Sequence, residues 1–313
     1  MGQRNREDGQ NRCRAPAQDG RAAGGPVTRS AIFVGCAALP EGDGDEAAVL
    51  PALADLGFTV SWAAWDAAAD FSSADIVVLR AAWDYPERRE EFLSWCEDVP
   101  GLSNPAAVVR WNTDKTYLGE LLDAGVPTVP VEIVPPGEKP RWPKKPFVVK
   151  PSVGAGGRGA ARFSSGGADA EQHLRALHED GRTALVQPYQ SSVDNQGEIS
   201  VTFFGGVYSH AFTKFALLES ALDSSGLYRE ERLAAAVPAP EVRAVAEDAL
   251  DAACGLLGIL RAELLYARVD LVRGDDGRPL VLELELTEPS LGFRHADAGA
   301  PLRFASAVRQ QLA

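Results

Sequence analysis

The chain has 313 residues, of which 45% are hydrophobic and 24% are charged, so it can bury a substantial core in about two or three small domains. Its formal net charge of −13 repels nucleic acid, and no stretch approaches the ~20 uninterrupted apolar residues of a membrane span. Four cysteines without CxxC or metal-ligand spacing argue against a disulfide or zinc framework. We expect a cytoplasmic protein that binds neither nucleic acid nor a membrane.

Residues 1–29 are rich in Gly, Arg, Gln, Asn and Asp and lack apolar periodicity, which predicts a disordered extension or a translated leader outside the fold. After them, AIFVGCAAL, TVSWAAW and ADIVVLRAAW are typical of strands, and VLPALADLGF, between the first two, is typical of an amphipathic helix. This βαβ alternation predicts a parallel sheet in an N-terminal domain over residues 30–112, within an α/β fold.

Two further units are predicted beyond this domain. The segment EEFLSWCEDV is typical of a helix, and a turn and a short apolar run then lead to another helix, for which Asn112 or Thr113 is a candidate N-cap. A proline-rich linker at 135–146 precedes two strands joined by a glycine-rich loop, a helix and the strand ALVQPY. Strands EISVTFFGG and VYSHAFTKF, a long helix and a terminal β-hairpin follow. The predicted boundaries of these two α+β units are 113–190 and 191–313.

The glycine-rich loop follows a lysine. Lys150 ends an apolar strand, and the loop after it contains Gly154, Gly156, Gly157 and Gly159. Glycines let backbone N–H groups approach phosphate oxygens, and a lysine anchored on a strand supplies a fixed positive charge. The spacing is neither that of a P-loop nor that of a Rossmann turn, because a second strand follows. The alternative is a flexible hairpin without a ligand, but the adjacent lysine favours a phosphate-binding lid.

Three acidic residues lie on the terminal hairpin. Asp270 is on one strand, and Glu283 and Glu285 share one face of the other, so the three side chains are expected to converge across the hairpin. Clustered carboxylates need a cation, and oxygen ligands suit Mg²⁺, or Mn²⁺, bound to nucleotide phosphates. The alternative is a solvated outer face. The intervening leucines 282, 284 and 286 predict a core-packed opposite face, which favours a cleft.

This ordered set of motifs resembles the ATP-grasp superfamily over residues 31–310. The resemblance implies an N-terminal βαβ domain followed by two α+β lobes that clamp ATP. It also implies nucleotide-binding residues: phosphate contacts from Lys115, Lys150, Gly154, Gly156 and Gly157, adenine contacts from backbone groups of Gln187, Pro188 and Tyr189, and a ribose contact from Asp194.

The same resemblance implies a catalytic and metal-binding set. Lys214, and less directly Arg229 or Arg232, would face the transferred phosphate, and Arg268 is the catalytic basic residue two positions before a metal ligand. The implied metal ligands are Asp270, Glu283 and Glu285. The family usually has Asn where this chain has Glu285, which adds negative charge and leaves the geometry of a second metal open.

The segments CAALP, RAAWDY, VVRWNTDK, YSHAFTK and LELELTEPSL most resemble the D-cycloserine synthetase subgroup. The resemblance implies an ATP- and Mg-dependent carboxylate–amine ligase that forms an acyl phosphate, cyclises O-ureido-D-serine to D-cycloserine and releases ADP and phosphate. The alternatives are a ligase that joins another amino acid or small acid to an amine, an ATP-grasp kinase, and a non-catalytic nucleotide-binding protein. The oligomeric state stays open, and a homo-oligomer is one possibility.

Four residues are candidates for substrate contact. Arg80 follows the apolar run DIVVL, at the carboxyl end of a strand, where open parallel sheets place their ligand crevice. We expect it to pair with a substrate carboxylate or with Asp84, and Tyr85 either contacts the substrate or packs the loop. Glu198, after the strand ALVQPY, is a candidate to bind ribose, metal or a substrate amine.

Overall fold

The computed structural model describes residues 1–2, 28–215, 225–228 and 232–313. Most of the predicted N-terminal extension, and the candidate Arg229, therefore lie outside the described residues. In the described part of the chain, no helix combines the length and the apolar character needed to cross a membrane. Short 3-10 helices occur between the main elements at Asp45–Ala48, Phe71–Ser73, Tyr85–Glu87, Arg261–Glu263 and Phe293–His295.

The N-terminal region contains, in chain order, β1 (Arg29–Gly35), α1 (Val49–Asp55), β2 (Phe58–Ala64), β3 (Ile76–Leu79), α2 (Arg89–Asp98) and β4 (Leu102–Ser103). The strands form a parallel sheet in the order β2-β1-β3-β4. Successive residues of β1 and β3 enter different hydrophobic clusters on the two faces of the sheet, so both strands are buried almost throughout. This arrangement confirms the predicted βαβ unit and the α/β class.

Two short helices lead from this sheet to the next: α3 (Ala106–Asn112) and α4 (Tyr117–Asp123). The predicted N-cap at Asn112 or Thr113 is wrong, because both residues close α3 rather than begin α4. The Asn112 side chain instead donates to Leu284 O at 2.8 Å and accepts from Leu286 N at 2.7 Å. Its amide is committed to the backbone of the last strand, and this contact fixes α3 against the C-terminal sheet.

The central region contains β5 (Glu132–Val134), β6 (Phe147–Pro151), β7 (Ala161–Phe163), α5 (Ala168–Glu179) and β8 (Ala184–Pro188). They form an antiparallel sheet in the order β5-β8-β6-β7, against which α5 packs Leu174 and Leu177. The glycine-rich loop connects β6 to β7, as the sequence predicts.

The C-terminal region contains α6 (Ser192–Gln196), β9 (Glu198–Phe204), β10 (Val207–Lys214), β11 (Leu233–Ala236), α7 (Pro240–Leu257), β12 (Tyr266–Arg273) and β13 (Pro279–Glu285). Its antiparallel sheet has the order β11-β10-β9-β12-β13. One face joins α7 and α4 in the largest hydrophobic cluster. The other face carries polar residues such as Ser200 and Asp270, together with Phe204 and Tyr266, which join a hydrophobic cluster with the N-terminal sheet.

A β-bulge changes the pattern expected for β13. The register shifts between Asp270 and Leu271, so Leu282 has no partner in the pairing of β12 with β13. Leu284 and Leu286 enter the large core as predicted, but Leu282 packs in a small separate cluster and lines the cleft described below. The predicted single apolar face is therefore wrong at Leu282.

The last helix, α8 (Ala300–Gln310), returns to the N-terminal sheet. Phe304 lies edge-on to Phe33 of β1, with ring centroids 6.3 Å apart, and both belong to a cluster that includes residues of α1. The chain therefore closes on its own first sheet, although the predicted division assigns residues 191–313 to a single C-terminal unit. The three sheets surround one cleft.

Candidate active site

A cavity of about 570 Å³ lies between the three sheets, within the size range of small-molecule sites. The residues predicted from the sequence that line it are Tyr85, Lys115, Lys150, Gly154, Gly156, Gly157, Gln187, Pro188, Tyr189, Glu198, Lys214, Arg268, Glu283 and Glu285. The other four predicted residues are not among the described residues that line it: Arg80, Asp84, Asp194 and Asp270. Arg232 is also outside this lining set, and its guanidinium lies 3.9 Å from the centroid of the Phe215 ring.

Three lysines form what we call the lysine wall of the cavity: Lys115, Lys150 and Lys214. Lys115 Nζ donates to Gly154 O at 2.5 Å and lies 3.0 Å from Glu283 Oε1. Burial lowers the pKa of Lys150 below its ordinary value, although Glu283 acts in the opposite direction. Burial also acts to lower the pKa of Lys115, but the combined attraction of Glu283, Glu285 and Glu288 outweighs it and raises that pKa. Buried positive charge therefore faces the cavity beside the glycine-rich loop.

Asp270 lies behind this wall and holds two cations. Its carboxylate accepts from Arg268 Nε and Nη2 at 2.9 Å each, from Lys214 Nζ at 2.5 Å and from Ser200 Oγ at 2.7 Å. Burial acts to raise the pKa of Asp270, but the charges of Arg268 and Lys214 outweigh it and hold that pKa well below its usual range. Lys214 Nζ also lies 3.2 Å from Glu198 Oε2.

The hairpin register confirms that Asp270 lies opposite Glu283, and Asp270 and Glu285 share Arg268, so cationic side chains lie between the three carboxylates where direct convergence was predicted. Within the described ranges, no group of three His, Cys, Asp or Glu side chains is arranged to hold a metal ion. The reason is that each carboxylate is paired with a cationic side chain. Asp270 is paired as described above, Glu283 is paired with Lys115, and Glu285 lies 2.8 Å from Arg268. The convergence expected from side-chain alternation is therefore interrupted by lysine and arginine.

The segment predicted to face adenine is partly occupied by internal hydrogen bonds. Tyr189 N donates to Pro146 O at 2.8 Å, and Pro188 O accepts from Gln190 Nε2 at 3.0 Å. The predicted ribose ligand Asp194 accepts from the Tyr189 hydroxyl at 2.5 Å and lies 3.6 Å from Arg162, which also covers the Tyr189 ring. Asp194 therefore belongs to an ion-paired cluster outside the cavity lining.

The glycine-rich loop contacts two other parts of the molecule. Gly156 has φ +62°, and a Cβ there would lie 2.2 Å from Leu227 O, so this position requires glycine. The Tyr228 ring lies edge-on to Trp83 with centroids 5.0 Å apart, and Arg158 Nη2 donates to Trp83 O at 2.6 Å. The loop thus joins the segment 225–228 and the N-terminal domain over the cavity.

Arg80 is not among the described residues that line the cavity, and its guanidinium is bound to other protein groups. Its Nε donates to Glu46 Oε1 at 2.7 Å, and both side chains are almost completely buried. The predicted pairing of Arg80 with Asp84 is wrong, because Asp84 accepts from Trp65 Nε1 at 2.8 Å and from Arg88 at 3.5 Å. Burial raises the pKa of Glu46, against the attraction of Arg80, so this carboxyl needs the arginine.

Glu288 lines the cavity and was missed by the sequence reasoning. Only 6% of it is exposed, and the Tyr85 hydroxyl contacts its carboxyl. Burial, with repulsion from Glu285, raises the pKa of Glu288 to about 8. We call the residues Trp83, Tyr85, Glu288 and Ser290 the Glu288 wall. The signal for Glu288 in the sequence was its position in LELELTEPSL. Glu288 lies three residues beyond β13, however, so strand alternation does not predict where its side chain lies.

Known proteins resemble this chain in sequence over most of its length. A family model described as the N-terminal domain of D-cycloserine synthetase DcsG matches residues 31–113. The cycloserine biosynthesis protein DcsG of Streptomyces lavendulae is 40% identical over 288 residues, which cover 86% of this chain and 94% of that relative.

Comparison of structures gives matches over most of the chain. A crystal structure of D-cycloserine synthetase DcsG has a TM-score of 0.81 and 36% identity, and covers 91% of this chain and 100% of that one. D-alanine–D-alanine ligase from Bacillus anthracis, complexed with ATP, has a TM-score of 0.60 and 16% identity, with 91% and 97% covered. The ATP-grasp ligase PsnB, complexed with a minimal precursor, has a TM-score of 0.55 and 18% identity, and the match covers 91% of this chain and 100% of that one. The last two matches show the fold alone.

Proposed function

This chain belongs to the D-cycloserine synthetase family of ATP-grasp ligases, and we propose that it cyclises O-ureido-D-serine to D-cycloserine at the expense of ATP. It is a ligase that forms C–N bonds through an acyl phosphate. The observation that carries the proposal is one cavity that holds the lysine wall, Arg268 and two carboxylates, Glu283 and Glu285. Because ATP is the cosubstrate, we place the protein in the cytoplasm.

The first step is phosphoryl transfer to the substrate. A carboxylate oxygen bonds to the γ-phosphorus of ATP, and the bond from that phosphorus to the β-phosphate oxygen breaks to release ADP. Lys115 and Lys150, with the glycine-rich loop, would hold the phosphates, and Lys214 and Arg268 would stabilise the charge on the transferred group. The central and C-terminal units, predicted at 113–190 and 191–313, would clamp the nucleotide between them.

A magnesium ion fits the donor chemistry of this cavity. Glu283 and Glu285 offer side chains that are 22% and 26% exposed, and oxygen-only ligands suit a hard divalent cation. Asp270 already accepts four hydrogen bonds, about the capacity of a carboxylate, so it would join them only after Lys214 or Arg268 moved to a phosphate. When bound, the ion would neutralise phosphate charge. We therefore propose Glu283, Glu285 and Asp270 as its ligands.

The second step is ring closure. The ureido nitrogen attached to oxygen attacks the acyl carbon, a C–N bond forms, and the C–O bond to phosphate breaks with its electron pair leaving on phosphate. That nitrogen loses a proton, and removal of its carbamoyl group by water, as carbon dioxide and ammonia, completes the balance. Arg268 would stabilise the oxyanion, and the loop held by Arg158 would exclude water from the acyl phosphate.

The test is product formation by the full chain with Mg·ATP and O-ureido-D-serine. We expect ADP, phosphate and D-cycloserine in equal amounts. Release of ADP and phosphate only with a different amino acid or small acid would support the ligase activity but contradict O-ureido-D-serine as the substrate. ADP with a stable phosphorylated product would identify a kinase, and absence of turnover across a broad substrate panel would identify a nucleotide-binding protein.

A further inference from the structure

We propose that Glu288, with the Tyr85 hydroxyl against it, is the subsite that binds the α-ammonium group of the amino-acid substrate. The inference rests on the proposed function, which requires an amino acid whose carboxylate reaches the lysine wall. Tyr85 and Glu288 line the same cavity as Lys115, Lys150 and Lys214. An ammonium group lies on the carbon next to the reacting carboxylate, so its binding site belongs on an adjoining part of the cavity.

Glu288 is held in place by an unusual set of backbone contacts. Three consecutive carbonyls accept hydrogen bonds from long side chains: Glu288 O from Trp83 Nε1 at 2.9 Å, Pro289 O from Arg80 Nη2 at 2.8 Å, and Ser290 O from Arg268 Nη1 at 2.8 Å. Two of these donors belong to the RAAWDY segment, and its last residue, Tyr85, contacts the Glu288 carboxyl itself. Arg80 and Trp83 are therefore positioning residues for Glu288.

The charges around Glu288 favour a cationic ligand. Its carboxyl is buried near Glu283 and Glu285, and the nearby Lys115 is already 3.0 Å from Glu283. Whereas Glu283 and Glu285 each form an ion pair, no Lys or Arg in the described part of the chain pairs with Glu288. A buried carboxylate without a cation is unfavourable, so this site gains more from an ammonium group than an already paired carboxylate would.

Asp43 is a competing carboxylate that the test must separate. It also lines the cavity, but it is only half-buried, and its Oδ1 already accepts from Asp45 N at 3.0 Å. Its charged neighbours are two carboxylates, Asp45 and Glu46, and two cations, Arg80 and Arg294. Asp43 therefore has less need of a further positive charge than Glu288 has.

The experiment compares two substrates that differ only in the amino group: O-ureido-D-serine and its analogue without the amine, 3-(ureidooxy)propanoate. For Glu288→Gln, we expect the KM for the amino acid to rise about 10- to 100-fold, the range of a lost charged hydrogen bond, with little change in kcat. We expect the KM for the analogue to stay within about twofold of the wild-type value. Tyr85→Phe should shift the amino-acid KM in the same direction by a smaller factor. Glu241→Gln, at an exposed residue paired with Arg273, is the matched control and should leave the KM for both substrates unchanged.

Several outcomes overturn the inference. An equal loss on both substrates would assign Glu288 a proton-transfer or structural role. A selective loss in Asp43→Asn, with Glu288→Gln unaffected, would assign the ammonium group to Asp43. Wild-type protein that released no ADP with either compound would overturn the proposed function and this subsite together, whereas turnover of both by wild type with an unchanged Glu288→Gln would overturn the subsite alone.

Discussion

The lysine wall and the Glu288 wall differ in where the nearby cationic side chains lie. Lys115, Lys150 and Lys214 line the cavity. Arg80, next to the Glu288 wall, lies outside the lining and binds a backbone carbonyl and a buried glutamate. Lys115 and Lys214 reach carboxylates that share the cavity with them. Arg80 reaches Glu46 and Pro289 O, and it is only 2% exposed. We therefore expect the lysine wall to act on a ligand directly, whereas Arg80 holds other groups in place.

This difference predicts that substitutions in the two places have different effects, a loss of turnover in one and a loss of stability in the other. A substitution in the lysine wall should remove turnover while the fold remains, because the cavity side chains do not hold the core together. A substitution of Arg80 should lower stability first, because it leaves a buried carboxylate without its cation. The following four experiments, in order of expected effect, would break or sharpen that contrast.

Lys150→Met should lower kcat/KM at least about 100-fold, because a fixed positive charge at the phosphates is lost. The melting temperature should not fall, since burial already disfavours the charged form of Lys150. Steady-state ADP release and a thermal melt measure the two quantities. Lys144→Met, at an exposed linker residue, is the matched control and should leave both unchanged. Full activity in Lys150→Met would contradict the assignment of the lysine wall to phosphate.

Arg80→Met should lower the free energy of unfolding by about 3–5 kcal/mol, because Glu46 loses its buried partner. Urea denaturation followed by fluorescence checks this value. Arg278→Met is the control, since that side chain is 82% exposed, and it should change the free energy by less than about 0.5 kcal/mol. A normally stable Arg80→Met protein with only a raised substrate KM would show that Arg80 is a ligand after all.

Arg158→Ala should lower kcat about tenfold and release more ADP than product. The variant loses the hydrogen bond from Arg158 to Trp83 O, which links the glycine-rich loop to the N-terminal domain. We expect the loosened loop to admit water to the proposed acyl phosphate. The ratio of ADP to D-cycloserine measures the leak. Arg175→Ala, on the exposed face of α5, should keep the ratio at one, and an unchanged ratio in Arg158→Ala would remove the loop from the mechanism.

The smallest effect is a pH dependence of stability. A carboxyl whose pKa rises on folding binds more protons in the folded state, so its contribution to stability is lost as pH rises from the unfolded pKa through the folded one. For Glu288 this window runs from the ordinary glutamate pKa of 4.5 to a folded-state pKa of about 8. Glu288→Gln should therefore lose less stability than the ligand-free wild type across this window. Parallel curves of unfolding free energy against pH would show that Glu288 does not titrate in this way.

Within the lysine wall, only Lys150 was predicted from local geometry, whereas Lys115 and Lys214 were predicted from the resemblance to a known family. Lys150 and the loop after it are consecutive, and two-residue alternation places Glu283 and Glu285 on one face of β13. The register that sets Asp270 opposite Glu283 follows from a short hairpin. What alternation did not supply was the cation at Glu283, since Lys115 arrives from a helix-connecting segment far earlier in the chain.

The Glu288 wall could not be predicted because its contacts join distant segments. Arg80 binds a carbonyl 209 residues later in the chain, and Trp83 binds one 205 residues later. Whether Arg80 points into the crevice depends on Glu46, whose burial is invisible in a single sequence. Its position at the carboxyl end of β3 correctly predicted that Arg80 lies near the cavity, but the direction of the side chain is set by tertiary packing.

The central claim is that this cavity makes an acyl phosphate that the substrate's own nitrogen captures. The most direct measurement uses O-ureido-D-serine with ¹⁸O in both carboxylate oxygens and determines the isotope content of the released phosphate by mass spectrometry. The account predicts one ¹⁸O in phosphate for each D-cycloserine formed, because a carboxylate oxygen leaves with the phosphoryl group. Unlabelled phosphate would contradict it, since that phosphate would arise from attack of water on ATP.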